Sequence, residues 1–181
     1  MTITHANAQQ WATDYDEKTP QEILALVLDN FDNAAISFSG AEDVVLIDMA
    51  AKLGKPFRVF SLDTGRLHAE TYQFIEKVRN HYKVAIEICF PESAQVQEMV
   101  NAKGMFSFYV DDHKECCTVR KVAPLKKKLS TLDAWVTGQR KDQSPGTRLA
   151  VPVVQADAAF SGAGKQLIKF NPLSNWTSAQ V

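Results

Sequence analysis

The chain has 181 residues, 45% of them apolar and 23% charged, with a formal net charge of −1. That length suits one domain with a sizeable core, and the near-neutral balance excludes general nucleic-acid binding, which needs a strong basic excess. No apolar run approaches the roughly 20 residues that span a bilayer. Residues 1–18 lack the apolar stretch of a secretory signal, and three cysteines are too few for a disulfide framework, so a cytoplasmic protein in a reducing compartment is expected.

In chain order, residues 1–18 read as a loose N-terminal arm and residues 19–181 as one domain. Thr19, Pro20 and Glu22 form a capping-box signature ahead of the apolar run 23–28, which predicts a helix. Residues 34–38 read as a buried strand ending in Ser39–Gly40, and 42–53 as a helix stopped by Gly54. The pattern repeats: strand 57–61, loop 62–67, helix 68–82, strand 84–88, then helix 94–103 with Gly104 as its stop. Residues 118–129 read as a helix in which Pro124 is expected to introduce a kink. Residues 134–137 form a short strand before Gly138. The stretch 151–170 reads as a hairpin around Ser161-Gly162-Ala163-Gly164. Asn171–Pro172 ends its second strand, and Ser174 is expected to cap a further helix. Strands alternating with helices imply βαβ units and a mostly parallel sheet flanked by helices, an α/β fold. In such sheets ligands bind beyond the carboxyl ends of the strands.

Four segments after strands carry chemistry. Ser37, Phe38, Ser39, Gly40, Ala41, Glu42 and Asp43 join a strand to a helix, where backbone N–H groups and the helix dipole favour an anion. Two acidic residues sit awkwardly beside that anion and are alternatively helix-capping groups; alone, the segment reads equally as an ordinary turn. Leu62, Asp63, Thr64, Gly65 and Arg66 form a second turn whose arginine can reach a phosphate or stack on a base; alone, it reads as a turn with a surface arginine. Cys116 and Cys117 cannot easily pair with each other. They supply half of a four-thiolate metal site or a chance pair of small helical residues, with His113 before them and Arg120 and Lys121 after. Cys89, in a strand run, reads as core filler. Finally Gly138–Arg148, with Arg140, Lys141, Gln143 and Arg148, suits a loop that clamps a multiply charged anion. Lys126, Lys127 and Lys128 read as an exposed helical face.

Together SFSGAEDVV at 37–45, LDTGRLHAET at 62–71, ECCTVRK at 115–121, GQRKDQSPGTR at 138–148 and KFNPLSNW at 169–176 resemble the APS/PAPS reductase family. This is a branch of the adenine-nucleotide α-hydrolase-like proteins. The resemblance implies thioredoxin-dependent reduction of adenylyl sulfate (APS) to sulfite and AMP in sulfate assimilation. A cysteine attacks the sulfate sulfur, AMP leaves, and thioredoxin, glutaredoxin or a similar dithiol releases sulfite. Carried over by position, Ser37, Ser39, Gly40, Ala41, Glu42 and Asp43 hold the nucleotide phosphate. Leu62, Asp63, Thr64, Gly65 and Arg66 contact the adenosine portion, while Arg140, Lys141, Gln143 and Arg148 lie near the phosphosulfate. Cys116 and Cys117 match the first two ligands of a 4Fe–4S cluster, with His113 and Lys121 beside it, and that pair points to APS over the 3′-phosphorylated substrate, PAPS. The family's later Cys-x-x-Cys and its nucleophilic cysteine are expected beyond Val181, so the chain by itself is not expected to turn over.

The nearest rival is a PAPS reductase, followed by a fragment that only binds nucleotide. An ATP-splitting enzyme of the same fold branch would carry Ser-Gly-Gly-x-Asp-Ser where this chain has Ser-Gly-Ala-Glu-Asp. No nucleic-acid or membrane partner is expected, and a homo-oligomer stays open.

Overall fold

The computed structural model describes residues 5–109, 113–144, 146–162 and 166–181. Its first element corrects the expectation of a loose arm. His5–Asp14 is a helix (α1), with Ala8 buried and the Trp11 ring 6.1 Å from Phe31 and 6.2 Å from Phe170. Ala8, Trp11, Ala12 and Tyr15 share one helical face, and all pack on the core. Four small or aromatic residues among polar ones make too faint a stripe to stand out in the sequence.

Pro20–Asn30 (α2) starts as expected. The Thr19 hydroxyl accepts from Glu22 N, and Glu22 Oε2 accepts from Thr19 N at 2.8 Å. Ala34–Ser37 (β1), Val44–Lys52 (α3), Val59–Leu62 (β2), Ala69–Tyr82 (α4), Ile86–Cys89 (β3) and Ser93–Lys103 (α5) then alternate as read, with ends shifted by one or two residues. A 3₁₀ turn, Ala41–Asp43, precedes α3.

Lys114–Cys117 (α6), a π-helical turn at Thr118–Val122 and Ala123–Leu129 (α7) form one continuous helical rod. The irregularity expected at Pro124 is absorbed by that turn. Proline has no N–H to offer the Arg120 carbonyl, and the Ala123 N–H bonds to Thr118 O, five residues back. Lys128 departs from the expected exposed face: its side chain is only 9% exposed and reaches Glu87 at 2.6 Å, tying α7 to β3.

Ala134–Val136 (β4), Val154–Ala156 (β5) and Ile168–Phe170 (β6) complete a six-stranded sheet in the order β3-β2-β1-β4-β6-β5. All pairings are parallel except β5 with β6. The hairpin reading therefore holds for the strand pair, although a long connection separates its strands. Ala163 and Gly164 of the expected turn lie outside the described residues. Ser174 caps no helix. Its hydroxyl donates to Val151 O at 2.5 Å, it is fully buried, and turns follow it.

Both sheet faces are covered, which is why the strands read as apolar runs. One face carries Ile36, Val59, Ile86, Val136, Ile168 and Phe170 beneath α2, α3 and α4, and the other carries Ala35, Phe60, Trp135 and Leu167 with Leu129 of α7. No helix among the described residues is long and apolar enough to cross a membrane. Phe170 is fully buried, with its ring 5.7 Å from Phe31, and joins α1 and α2 to the sheet. Phe170→Ala is expected to cost about 3–5 kcal/mol, read as a lowered midpoint in urea unfolding.

Candidate functional site

The strand order reverses between β1 and β4. The chain builds β2 and β3 outward on one side of β1 and then crosses to place β4 on the other. Connections leaving two such strands diverge, which opens a crevice at their carboxyl ends. A cleft of about 300 Å³ lies there, lined by Ser37, Ser39, Asp43, Trp135, Thr137, Gly138, Gln139, Gln143 and Arg148. The first and fourth sequence segments thus meet at one place.

Within the first segment, the Asp43 carboxylate already occupies the donors expected to face an anion. Its Oδ2 accepts from Ser39 N and Ser39 Oγ, both at 2.7 Å, and from Gly40 N at 3.1 Å. Asp43 is buried, and the turn is held open by this internal anion. Gly138 packs directly on it: a Cβ there would fall 2.0 Å from Asp43 Oδ1. Only a glycine lets the loop after β4 approach the loop after β1 this closely.

Glu42 and Arg140 join the same two loops a second time. Arg140 is 1% exposed; its Nη1 donates to Glu42 Oε2 at 2.9 Å and its Nη2 to Ser178 Oγ at 3.2 Å. Its buried Nε has no hydrogen-bond partner among the described residues. Gln143 Nε2 also donates to Glu42, at 3.3 Å, and Gln143 Oε1 accepts from Arg148. The Arg140 guanidinium first, and the Gln143 amide next, hold the Glu42 carboxyl below the usual carboxylate range. Arg140, expected at the phosphosulfate, is buried against Glu42 and Ser178 and is not among the residues lining the cleft. Lys141 turns away from it and donates to Asn175 Oδ1 at 2.6 Å. Arg148 is the predicted cation that lines the cleft, while Ala41 sits exposed at the start of the turn. Pro145 lies outside the described residues.

The second segment does not line this cleft. Asp63 is buried and accepts from Gly65 N at 2.7 Å and from the Tyr72 hydroxyl at 3.0 Å, while Thr64 Oγ1 accepts from Arg66 N at 3.2 Å. Burial, then the bond to Asp63, raises the Tyr72 pKa. The Arg66 guanidinium donates to Met105 O at 2.7 Å. Leu62 and Asp63 border a separate cleft of about 200 Å³ with Tyr72, Ile75, Ile88 and Phe90.

Cys116 is buried and Cys117 half-buried, side by side at the end of α6. His113 stacks on Phe108 at 3.8 Å between centroids, and Lys121 is exposed. Among the described residues no group of three or more His, Cys, Asp or Glu side chains is placed to hold a metal ion. The pair thus supplies two cysteine sulfurs, and the described residues bring no further His, Cys, Asp or Glu group to them that could complete a metal site. Arg120, read only as a cation near the pair, links it to the second segment: its buried Nη1 donates to Thr64 O at 2.7 Å. Cys89 lies at the end of β3, where burial, and then Glu87, pushes its thiol pKa up.

Sequence reasoning assigned no site role to Trp135, Thr137 or Lys169, although Lys169 opens the KFNPLSNW motif. Thr137 donates to Asn171 Oδ1 at 2.6 Å, and Lys169 Nζ donates to Gln139 Oε1 at 2.8 Å. A lysine and an asparagine flanking Phe170 in an otherwise apolar strand were the available signal.

A model of the phosphoadenosine phosphosulfate reductase domain matches residues 33–181. The adenosine 5′-phosphosulfate reductase of Pseudomonas aeruginosa (strain LESB58) is 56% identical over 94% of this chain and 64% of its own length. The chloroplastic 5′-adenylylsulfate reductase 1 of Arabidopsis thaliana is 53% identical over 92% of this chain and 37% of its own. The chain thus spans less than two thirds of the curated relatives it matches. Among solved structures, phosphoadenylyl-sulfate reductase from Candida auris, in a phosphate complex, superposes with a TM-score of 0.80 at 26% identity over 99% of this chain and 84% of that one. The FMN adenylyltransferase of Candida glabrata, in complex with ATP, shares the fold alone: TM-score 0.53 at 15% identity over 97% of this chain and 55% of that one.

Two outcomes are expected. Gly138→Ala displaces the Asp43 carboxylate from Ser39 and Gly40, costing about 1–3 kcal/mol, with faster amide exchange at those two residues by NMR. A depressed folded-state pKa makes Glu42 stabilising above its ordinary value of about 4.5. That contribution is lost as pH falls through the folded value. Glu42→Gln should therefore flatten the acid side of the stability profile, measured by urea unfolding between pH 7 and pH 3.

Proposed function

The chain belongs to the phosphoadenosine phosphosulfate reductase domain family, and on that premise we propose that it is the nucleotide-binding part of an adenylyl-sulfate reductase of sulfate assimilation. The observation that carries this reading is the β1/β4 cleft, where hydroxyls, amides and Arg148 converge at a topological switch point. The Ser37–Asp43 turn borders the nucleotide phosphate, with Asp43 fixing the Ser39 and Gly40 backbone so that the turn keeps its shape beside it. Leu62, Asp63, Thr64, Gly65 and Arg66 border the adenosine, while Gln143 and Arg148 face the phosphosulfate. Arg140, buried on Glu42, acts by positioning both loops rather than by touching the anion; Lys141 completes that loop.

In the reaction, a cysteine thiolate attacks the sulfate sulfur. The bond from sulfur to the bridging phosphate oxygen breaks, and AMP leaves with the electron pair. The cysteine keeps an S-sulfonate, and a dithiol of the thioredoxin or glutaredoxin type displaces sulfite and is itself oxidised to a disulfide. Charge grows on the departing phosphate and on the sulfonate oxygens, so Arg148 stabilises the transition state by being already in place. None of Cys89, Cys116 and Cys117 suits the nucleophile's role. That group is assigned to a segment past Val181 of a longer protein. Cys116 and Cys117 would be two of four ligands to a 4Fe–4S cluster, with His113 and Lys121 beside them; their presence favours APS over PAPS. A reducing cytoplasm suits thiols of this kind.

The test is sulfite release from APS and from PAPS by the longer protein with thioredoxin. Sulfite from APS at a rate at least tenfold above that from PAPS is expected. Faster release from PAPS would replace this reading with the PAPS reductase one, and release from neither would overturn both.

A further inference from the structure

Lys169 stands in β6, a strand with neighbours on both sides, yet it is only 8% exposed. Its position is paired with Trp135 across the parallel β4–β6 ladder, on the sheet face that also carries Phe60 and is covered by Leu129 of α7. An ammonium there gives up most of its hydration, a cost of several kcal/mol that a well-packed leucine or methionine would not incur. What it receives in return is modest. Nζ donates to a neutral amide oxygen, Gln139 Oε1, at 2.8 Å, and lies 5.0 Å from the centre of the Trp135 ring. Asp157 is the carboxylate whose field reaches it, and that group is already engaged, accepting from Trp135 Nε1 at 3.0 Å. Burial is the largest influence on the lysine and lowers its pKa; Asp157 opposes this, and Arg148 adds to it.

Both groups that hold the ammonium, Gln139 and Trp135, line the β1/β4 cleft, as does Arg148. Two cations are therefore associated with one cleft, Arg148 in its lining and Lys169 through its contacts with Gln139 and Trp135. The carboxylate in the cleft wall, Asp43, is committed to Ser39 and Gly40. A buried charge left this poorly compensated by the fold is what a site for an anion needs.

We propose that Lys169 is a specificity-determining residue of the cleft, a buried positive charge held by Gln139 and Trp135 that selects a nucleotide over a nucleoside by its anionic group. This rests on the nucleotide-binding reading above. An anion entering beside Arg148 relieves the repulsion between the two cations and replaces part of the hydration the lysine lost. Adenosine, lacking the anion, gains nothing from it. The indole of Trp135, held by Asp157, fixes where the ammonium sits.

The experiment is a calorimetric titration of the 181-residue chain and its Lys169→Met and Lys169→Arg variants with AMP and with adenosine. Methionine matches the lysine stem in volume, so the strand can stay packed; Lys169→Gln serves in its place should thermal unfolding show that the methionine variant is not folded. The expected result is an AMP affinity about tenfold weaker in Lys169→Met, which corresponds to about 1.4 kcal/mol, with adenosine affinity unchanged within twofold. Lys169→Arg should recover most of the AMP affinity. Equal losses for AMP and adenosine would assign the lysine a structural role and overturn the proposal, as would no loss for either. Failure of the unsubstituted chain to bind AMP would instead overturn the nucleotide-binding reading, and this inference with it.

Discussion

The pairing of β1 with β4 is the constraint on which the rest depends. Ala34, Ala35 and Ile36 lie beside Ala134, Trp135 and Val136 in a parallel ladder, although about a hundred residues separate them in the chain. Parallel neighbours end at the same edge of the sheet, so the turns that leave them emerge side by side. Everything at the candidate site follows from that shared edge. Gly138 comes to rest on Asp43, Arg140 comes within reach of Glu42, and Gln143 and Arg148 face Ser37 and Ser39.

Electrostatics then decide the shape of those turns. A turn rich in N–H donors is unstable without an acceptor, and here Asp43 provides one from three residues on. The two acidic residues that look out of place beside an anion site thus have separate tasks. Asp43 organises the donors of its own loop, and Glu42 neutralises a guanidinium from the other. Arg140 shows the converse. A buried arginine whose partner is removed would be left uncompensated, so the ion pair binds the loops together whatever its net contribution to stability.

The same site shows how far residue patterns carry. The strand–helix alternation, the capping box at Thr19 and the glycine stops are local signals, and local hydrogen bonds realise them. The phosphate-type turn at Ser37–Asp43 and the cationic loop after β4 are also visible as compositions. What composition does not tell is direction. Three cations in Gly138–Arg148 look alike in sequence, yet Arg140 is buried on Glu42, Lys141 turns to Asn175, and Arg148 lines the cleft. Ser174 reads as a helix cap only if its hydroxyl serves the residues after it; instead it serves Val151, which the β5–β6 pairing brings alongside.

By itself, then, the amino-acid sequence determined the class of fold, the position of the loops that follow strands, and the family to which their motifs belong, since each depends on near neighbours in the chain. Tertiary structure alone decided which loops share a cleft, which of their charges face it, and that a lysine from β6 contacts two residues of its lining. Those outcomes depend on contacts between residues tens to a hundred positions apart, where the strand order and the cost of burying charge, not local propensity, determine which groups meet.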